Sequence, residues 1–209
     1  MAETYSILRA AQDAEISKLT LNGEVLDVGG DTRSPYQKKM SGTCNIHTIN
    51  ISHDFFPDQI VDVEDPFPFA DASYDHILCF NLLEHIVETQ HVISEMARVT
   101  KSGGTLIITT PFLYYVHGSP DDHQRYTDSF YKRMAEKYDC SVERITPLGN
   151  GFFSIGYNFI GGAIPTLPLK LLCKRIAITL DTGLCRISKK YRKLYDRLPM
   201  GYFVVLVKN

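Results

Sequence analysis

Cysteine is scarce and poorly placed for metal. Cys44, Cys79, Cys140, Cys173 and Cys185 are odd in number, and no two stand at zinc-ligand spacing. A zinc-finger module is excluded, and a reduced, cytoplasmic compartment is the simplest expectation. Excess charge is missing too. A net charge of −2 makes the chain as a whole no magnet for nucleic acid. Residues 1–21 are polar and helical in pattern and lack a basic stretch leading into an apolar run, so no signal peptide is expected. No internal repeat and no low-complexity segment occurs. The one long uncharged run, residues 145–169, holds three prolines and five glycines and cannot form a smooth membrane-spanning helix.

What is present is ordinary in amount and uneven in arrangement. The 209 residues suffice for one sizeable core with an appendage. Residues 170–197 carry nine Lys/Arg against two Asp, leaving 13 basic and 22 acidic residues elsewhere. A basic patch on an acidic body follows.

Apolar patterning predicts an N-terminal helix ended near Asn22 and Gly23, then strands at 24–28, 46–51, 59–63, 74–80 and 105–110. Residues 82–99 have helical spacing, Lys101 to Gly104 reads as a chain break, and residues 128–138 form another amphipathic helix with Asp128 near its N-cap. Residues 141–145 and 201–207 complete the strands. Strands alternating with helices imply a parallel, doubly wound α/β sheet. Its first strand, Val25 to Val28, runs straight into Gly29 and Gly30, a turn of the kind that lies against a ligand in such sheets.

Three stretches make the chain resemble the class I S-adenosylmethionine-dependent methyltransferases of the type 11 kind. They are Val25-Leu-Asp-Val-Gly-Gly30, then residues 62–75 with Asn81, Leu82, Leu83, Glu84 and His85, and lastly residues 98–106. The resemblance implies a Rossmann-like, seven-stranded sheet with an antiparallel last strand at 201–207. A helical insertion, residues 147–199, would precede that strand within a single domain of residues 1–209. It also implies S-adenosyl-L-methionine as cofactor, with S-adenosyl-L-homocysteine as product. Gly29 and Gly30 would underlie its amino-acid part, with Asp27 near the ammonium and Arg33 near the carboxylate. Asn50, with Ile51 beside it, stands where the family keeps an acidic residue for the ribose. Asp62 and Val63 would meet the adenine, although Asp62 also suits a plain turn. Asn81 and Leu82 would floor the cleft. The family's second and third turn glycines are replaced by Asp31 and Arg33, which leaves open a non-catalytic binding module with a degenerate turn.

The loop after the fifth strand holds His117, Asp121, Asp122, His123 and Arg125 among tyrosines. Such a density of titratable groups is unusual for a connector. It resembles a loop of a bacterial subgroup associated with glycan and glycolipid assembly. If an alcohol is the acceptor its proton must leave, and a histidine's ordinary pKa near neutrality suits that task. His117 is the candidate base, with Asp121 or Asp122 orienting it and Arg125 clamping an anionic group or tying the loop down. Structural histidines remain the alternative. No metal is expected from His117 and His123, since no helix face aligns them. Glu84 reads as a helix-start residue and His85 as a packed one. The acceptor is expected to be a small-molecule, glycan or lipid-linked hydroxyl, not nucleic acid. The apolar and basic residues 152–198 form either a cap over the site or a peripheral contact with the inner membrane face.

Overall fold

The computed structural model describes residues 6–118 and 121–209. One seven-stranded sheet organises them. Its strands are β1 (Gly23–Val28), β2 (Cys44–Asn50), β3 (Gln59–Ile60), β4 (Tyr74–Phe80), β5 (Thr100–Pro111), β6 (Cys140–Leu148) and β7 (Gly201–Lys208). They lie in the order β3-β2-β1-β4-β5-β7-β6. Only β7 runs antiparallel, to β5 on one side and β6 on the other. The expected Rossmann-like sheet with its reversed last strand is therefore present.

Period-two alternation builds a core on each face. Leu26, Ile77, Cys79, Leu106, Ile108, Val204 and Leu206 point to one side. There they meet α2 (Thr89–Val99) through Val92, Ile93 and Met96, and α3 (Asp128–Lys137) through Tyr131 and Met134. Val25, Leu78, Ile107, Phe203 and Val205 point to the other side, against Ile7, Leu8 and Ile16 of α1 (Ile7–Ile16). β4 is buried on both faces at the middle of the sheet. Ile77→Ala is expected to cost about 2–5 kcal/mol, the range for emptying a filled core site, and a urea titration would show it.

Several boundaries differ from the sequence expectation. The N-terminal helix spans only Ile7–Ile16, begun by Ser6, whose Oγ accepts the Arg9 amide at 3.1 Å; residues 1–5 of the expected helix lie outside the described residues. The third strand shrinks to two residues because Asp62 and Asp65 close a turn straight after it. Residues 82–99 are not one helix. A 3-10 turn, Leu83–His85, comes first, Ile86 is extended, and α2 starts at Thr89. Leu83 and Ile86 are buried, but by that turn and not by helical periodicity. Nor do Lys101 to Gly104 break the chain. β5 runs through them, and its pairing with β4 merely shifts register between Tyr74 and His76.

The insertion consists of α4 (Phe152–Ile160), α5 (Leu167–Ile187) and α6 (Lys189–Tyr195). Its helices pack mainly on one another. Buried Asp181 of α5 accepts the Phe153 and Ser154 amides at 3.1 and 2.7 Å, which caps the start of α4. Gly151 is required there, since a Cβ would sit 2.3 Å from the Asp181 carboxyl carbon. Among the described residues, no insertion residue lines the cleft described next.

Candidate active site

The chain leaves β1 in one direction, toward β2 and β3, and later returns to place β4 on its other side. Ligands of open α/β sheets bind at that kind of reversal, outside the carboxyl ends of the strands. A cleft of about 370 Å³ lies there, within the range of small-ligand sites. Gly29 enters it from the end of β1, Asn50, Ile51 and Phe55 from behind β2, and Asp62, Val63 and Glu64 from behind β3. Asn81, Leu82, His85, Ile86 and Val87 come from behind β4, and Asp121 and His123 from behind β5.

The floor is held in backbone conformations that cost energy. Gly29 has φ +77°, and a Cβ on it would stand 3.1 Å from the Leu82 methyls. Asn81 is left-handed without being glycine, at φ 52°. It is held there by its amide, which donates to Thr109 O at 2.8 Å, and by its side chain, which donates to Gln12 Oε1 at 3.0 Å. Asn50 Nδ2 donates to Gly30 O at 3.2 Å while its Oδ1 accepts the Ile51 amide at 2.8 Å. One carbonyl lone pair is left for a ribose hydroxyl. Asp62 Oδ1 accepts the Glu64 amide at 3.0 Å, so this exposed residue both shapes a turn and lines the cleft wall.

Three expected cofactor residues do not line the cleft. Arg33 pairs with Asp31 through two nitrogens, donates to Asp54 O at 3.1 Å and lies 3.8 Å over the Phe56 ring. A neighbouring anion two residues away has taken the guanidinium. Gly30 serves Asp27 instead, because a Cβ on it would lie 2.5 Å from the Asp27 carboxyl carbon. Asp27 is buried beneath that turn. Tyr36 and Gln37 donate to its Oδ2, and its buried Oδ1 has no hydrogen-bond partner among the described residues. Burial pushes its carboxyl up to about 6, against the lowering by those two donors.

The loop after β5 is stitched to the segment after β4. His123 N donates to Glu84 O at 2.8 Å, Gln124 Nε2 to Ile86 O at 3.1 Å and to Val87 O at 3.0 Å, and Tyr126 Oη to Leu83 O at 2.8 Å. This seam sets out the residues expected to do chemistry. Asp122 and Arg125 grip each other in a two-pronged ion pair. The Arg125 hydrogen bonds hold the Asp122 carboxyl well below the usual carboxylate range. Asp122 also accepts the His117 amide at 2.8 Å. The pair therefore fixes the loop. Asp121 lines the cleft and accepts His85 Nδ1 on its backbone carbonyl.

Glu84, which reads from sequence as a helix-start residue, is 0 % exposed and precedes no α-helix. Neither of its carboxylate oxygens has a hydrogen-bond partner among the described residues, and burial pushes it up to about 7. His85 Nε2 stands 3.8 Å from Glu84 Oε1, and the His85 and His117 ring centroids are 5.2 Å apart. Glu84 and His117 also border a smaller hollow of about 80 Å³, together with Arg9 and Tyr114. The one sequence sign of this was a glutamate inside an otherwise apolar run, Leu82, Leu83 and Ile86.

A family model described as a methyltransferase domain matches residues 26–108, which span the floor of the cleft. Those residues are similar to that domain, and the match covers less than half of the chain. Solved structures of the same fold hold S-adenosylmethionine or S-adenosylhomocysteine. Ajmaline N-methyltransferase of Rauvolfia serpentina is 31% identical over 84 residues, which cover 40% of this chain and 28% of that enzyme. A chain of the complex between the Haloferax volcanii Trm112 methyltransferase activator and a methyltransferase superposes with TM-score 0.61 at 17% identity, over 96% of this chain and 89% of that one. The cyclase SpnF superposes equally well, TM-score 0.61 at 16% identity, over 96% and 82%. Haemonchus contortus phosphoethanolamine N-methyltransferase 2, bound to S-adenosylhomocysteine, gives TM-score 0.57 at 16% identity, over 94% of this chain and 52% of that one. Such distant likenesses establish the fold alone.

The residues of the matched stretch fit S-adenosylmethionine on two counts. Gly29 leaves a cradle that a side chain would narrow, and the unpartnered Asp27 oxygen beneath the turn suits a cationic amino group.

Proposed function

We propose that this protein transfers a methyl group from S-adenosylmethionine to a hydroxyl oxygen of a small-molecule, glycan or lipid-linked acceptor. The supporting observation is the cluster of Glu84, His85 and His117, of which His85 borders the cleft and the other two a smaller hollow that shares Asn81 with it. Gly29, Asn50, Asp62, Val63, Asn81 and Leu82 would hold the cofactor, whose sulfonium supplies an electrophilic methyl group. Asp122 and Arg125 keep His117 in place, and His117 accepts the hydroxyl proton. Positioning of this kind contributes most of the acceleration in a displacement that needs little other chemistry. The test is release of S-adenosylhomocysteine on incubation with lipid-linked and free sugar alcohols. Product with any of them supports the reading. A SpnF-like cyclase or a pure binding module would release none. Calorimetry then separates those two readings from loss of the cofactor site, since a module that has lost the site gives no heat with either S-adenosylmethionine or S-adenosylhomocysteine.

A second reading concerns residues 152–198. No helix among the described residues is long and apolar enough to cross a membrane. Yet twelve of the twenty exposed large hydrophobics among the described residues fall in the insertion. Leu169, Leu172, Ile176, Leu180 and Ile187 follow helical spacing along α5 and are all exposed. Lys170, Arg175 and Arg186 flank them. That pairing suits a helix lying in the headgroup layer of the inner membrane face, where each basic residue adds about 1 kcal/mol with acidic lipid. Leu172→Glu combined with Ile176→Glu is expected to abolish flotation with vesicles containing acidic lipid. Equal flotation of that variant would remove the membrane contact.

A further inference from the structure

Three donor groups meet where the loop after β5 is stitched to the turn after β4. One ligand atom each from Glu84, His85 and His117 falls within 4.8 Å of the others. Two features separate this group from an accidental neighbourhood. The first is the state of Glu84. A fully buried carboxylate without a donor is costly, and proteins meet that cost with a counter-charge, a metal or protonation. Arg125 of the neighbouring loop is spent on Asp122. The second is the orientation of His85. Its Nδ1 is bonded to the Asp121 carbonyl, an oxygen that can only accept. The proton is thereby placed on Nδ1, and Nε2 turns a lone pair toward Glu84, 3.8 Å away. A histidine whose outer nitrogen donates to a backbone carbonyl is the usual setting of a metal-ligating imidazole. His117 contributes a third donor, and its ring is held beside the loop's ion pair, with Nδ1 3.3 Å from Asp122 Oδ2.

We infer that Glu84, His85 and His117 bind one divalent transition-metal ion. Two imidazole nitrogens and one carboxylate oxygen suit zinc, cobalt, manganese or iron(II), and suit calcium or magnesium poorly. Metal–ligand bonds of about 2.0–2.2 Å put neighbouring donor atoms about 3–3.5 Å apart. The three groups therefore draw together by up to about an ångström on binding. Three ligands leave coordination positions open. His85 borders the main cleft while Glu84 and His117 border the smaller hollow, so the ion stands between the two. Its open positions take an oxygen of the acceptor. Use of those positions rests on the methyl-transfer reading, and binding of the ion does not. In the metal-loaded protein His117 is a ligand, and the ion, not His117, makes the acceptor hydroxyl acidic. The sequence expectation of no metal, weighed only on His117 with His123, is replaced by a set in which His123 has no part.

The test is a titration of chelator-treated protein with cobalt(II), followed by visible absorption and by melting temperature. One equivalent is expected to bring up ligand-field bands and raise the melting temperature. Glu84→Gln and His117→Asn should each weaken cobalt binding by more than about a hundredfold, the upper end for losing an outer-shell partner. His123→Asn should leave it intact. Glu84→Gln keeps the shape and removes a buried charge, so it is expected to fold, which circular dichroism checks. Absence of the bands in wild type, or their survival in folded Glu84→Gln, overturns the site. Either result leaves His117 standing as a general base, so failure here is distinct from failure of the methyl-transfer reading.

Discussion

Asp27→Asn should make the protein more stable and its cofactor binding weaker. Asp27 is 1 % exposed, and its carboxyl titrates near 6 in the fold against 3.8 when solvated. Tyr36 and Gln37 face it as donors, and the Asp31 charge opposes its ionisation. A carboxyl with a raised folded pKa carries no penalty below about pH 4, where it is protonated in both states. The penalty grows as pH climbs to about 6 and is complete above that. The span corresponds to about 3 kcal/mol. Asparagine removes the charge and should recover up to about that amount at pH 8 and almost none at pH 4. Urea titrations at both pH values measure it. The same charge is what the cofactor ammonium would use. Affinity for S-adenosylhomocysteine should therefore rise with pH through about 6, by at most tenfold per unit, and the variant should lose that slope. A pH-independent affinity in the wild type would place the ammonium elsewhere.

His117→Ala carries the second large effect. His117 lies outside the lining of the main cleft, and the Asp122 carboxylate grips its backbone amide and not only its ring. Truncation should spare both the cofactor site and the loop. Turnover should fall by about a hundredfold or more, the lower end for losing a positioned proton acceptor, while calorimetric affinity for S-adenosylhomocysteine stays within about twofold. The outcome is the same whether His117 takes the proton or holds an ion that acidifies the hydroxyl. Unchanged turnover would remove His117 from the chemistry altogether.

The sheet was open to reading because each strand carries its own signal. Residues 74–80 end in a continuous apolar run, Ile77 to Phe80, the mark of a strand covered on both faces, and the expected and observed limits of β4 coincide. The floor of the cleft follows from those strand ends. Arg33 escaped because a local partner, Asp31, outcompetes a ligand not encoded in the sequence. Glu84 escaped for two reasons. Apolar residues at 83 and 86 mimic a helix period while belonging to a 3-10 turn and an extended residue. Its approach to His117, 33 positions away, is made by hydrogen bonds to main-chain carbonyls, which leave no trace in side-chain pattern. The insertion could be recognised by composition, but the capping of its first helix by a buried aspartate, Asp181 of α5, has no local sequence signal.

That main-chain mooring has an evolutionary corollary. The amides of His123 and Gln124 both reach the Glu84 carbonyl, and an amide survives exchange of whatever side chain it carries. Positions 121 and 123 at the mouth are thus free to drift while the strap itself keeps its anchorage. A lineage could retune which acceptor it admits one substitution at a time, without first inventing a new way to hold the loop.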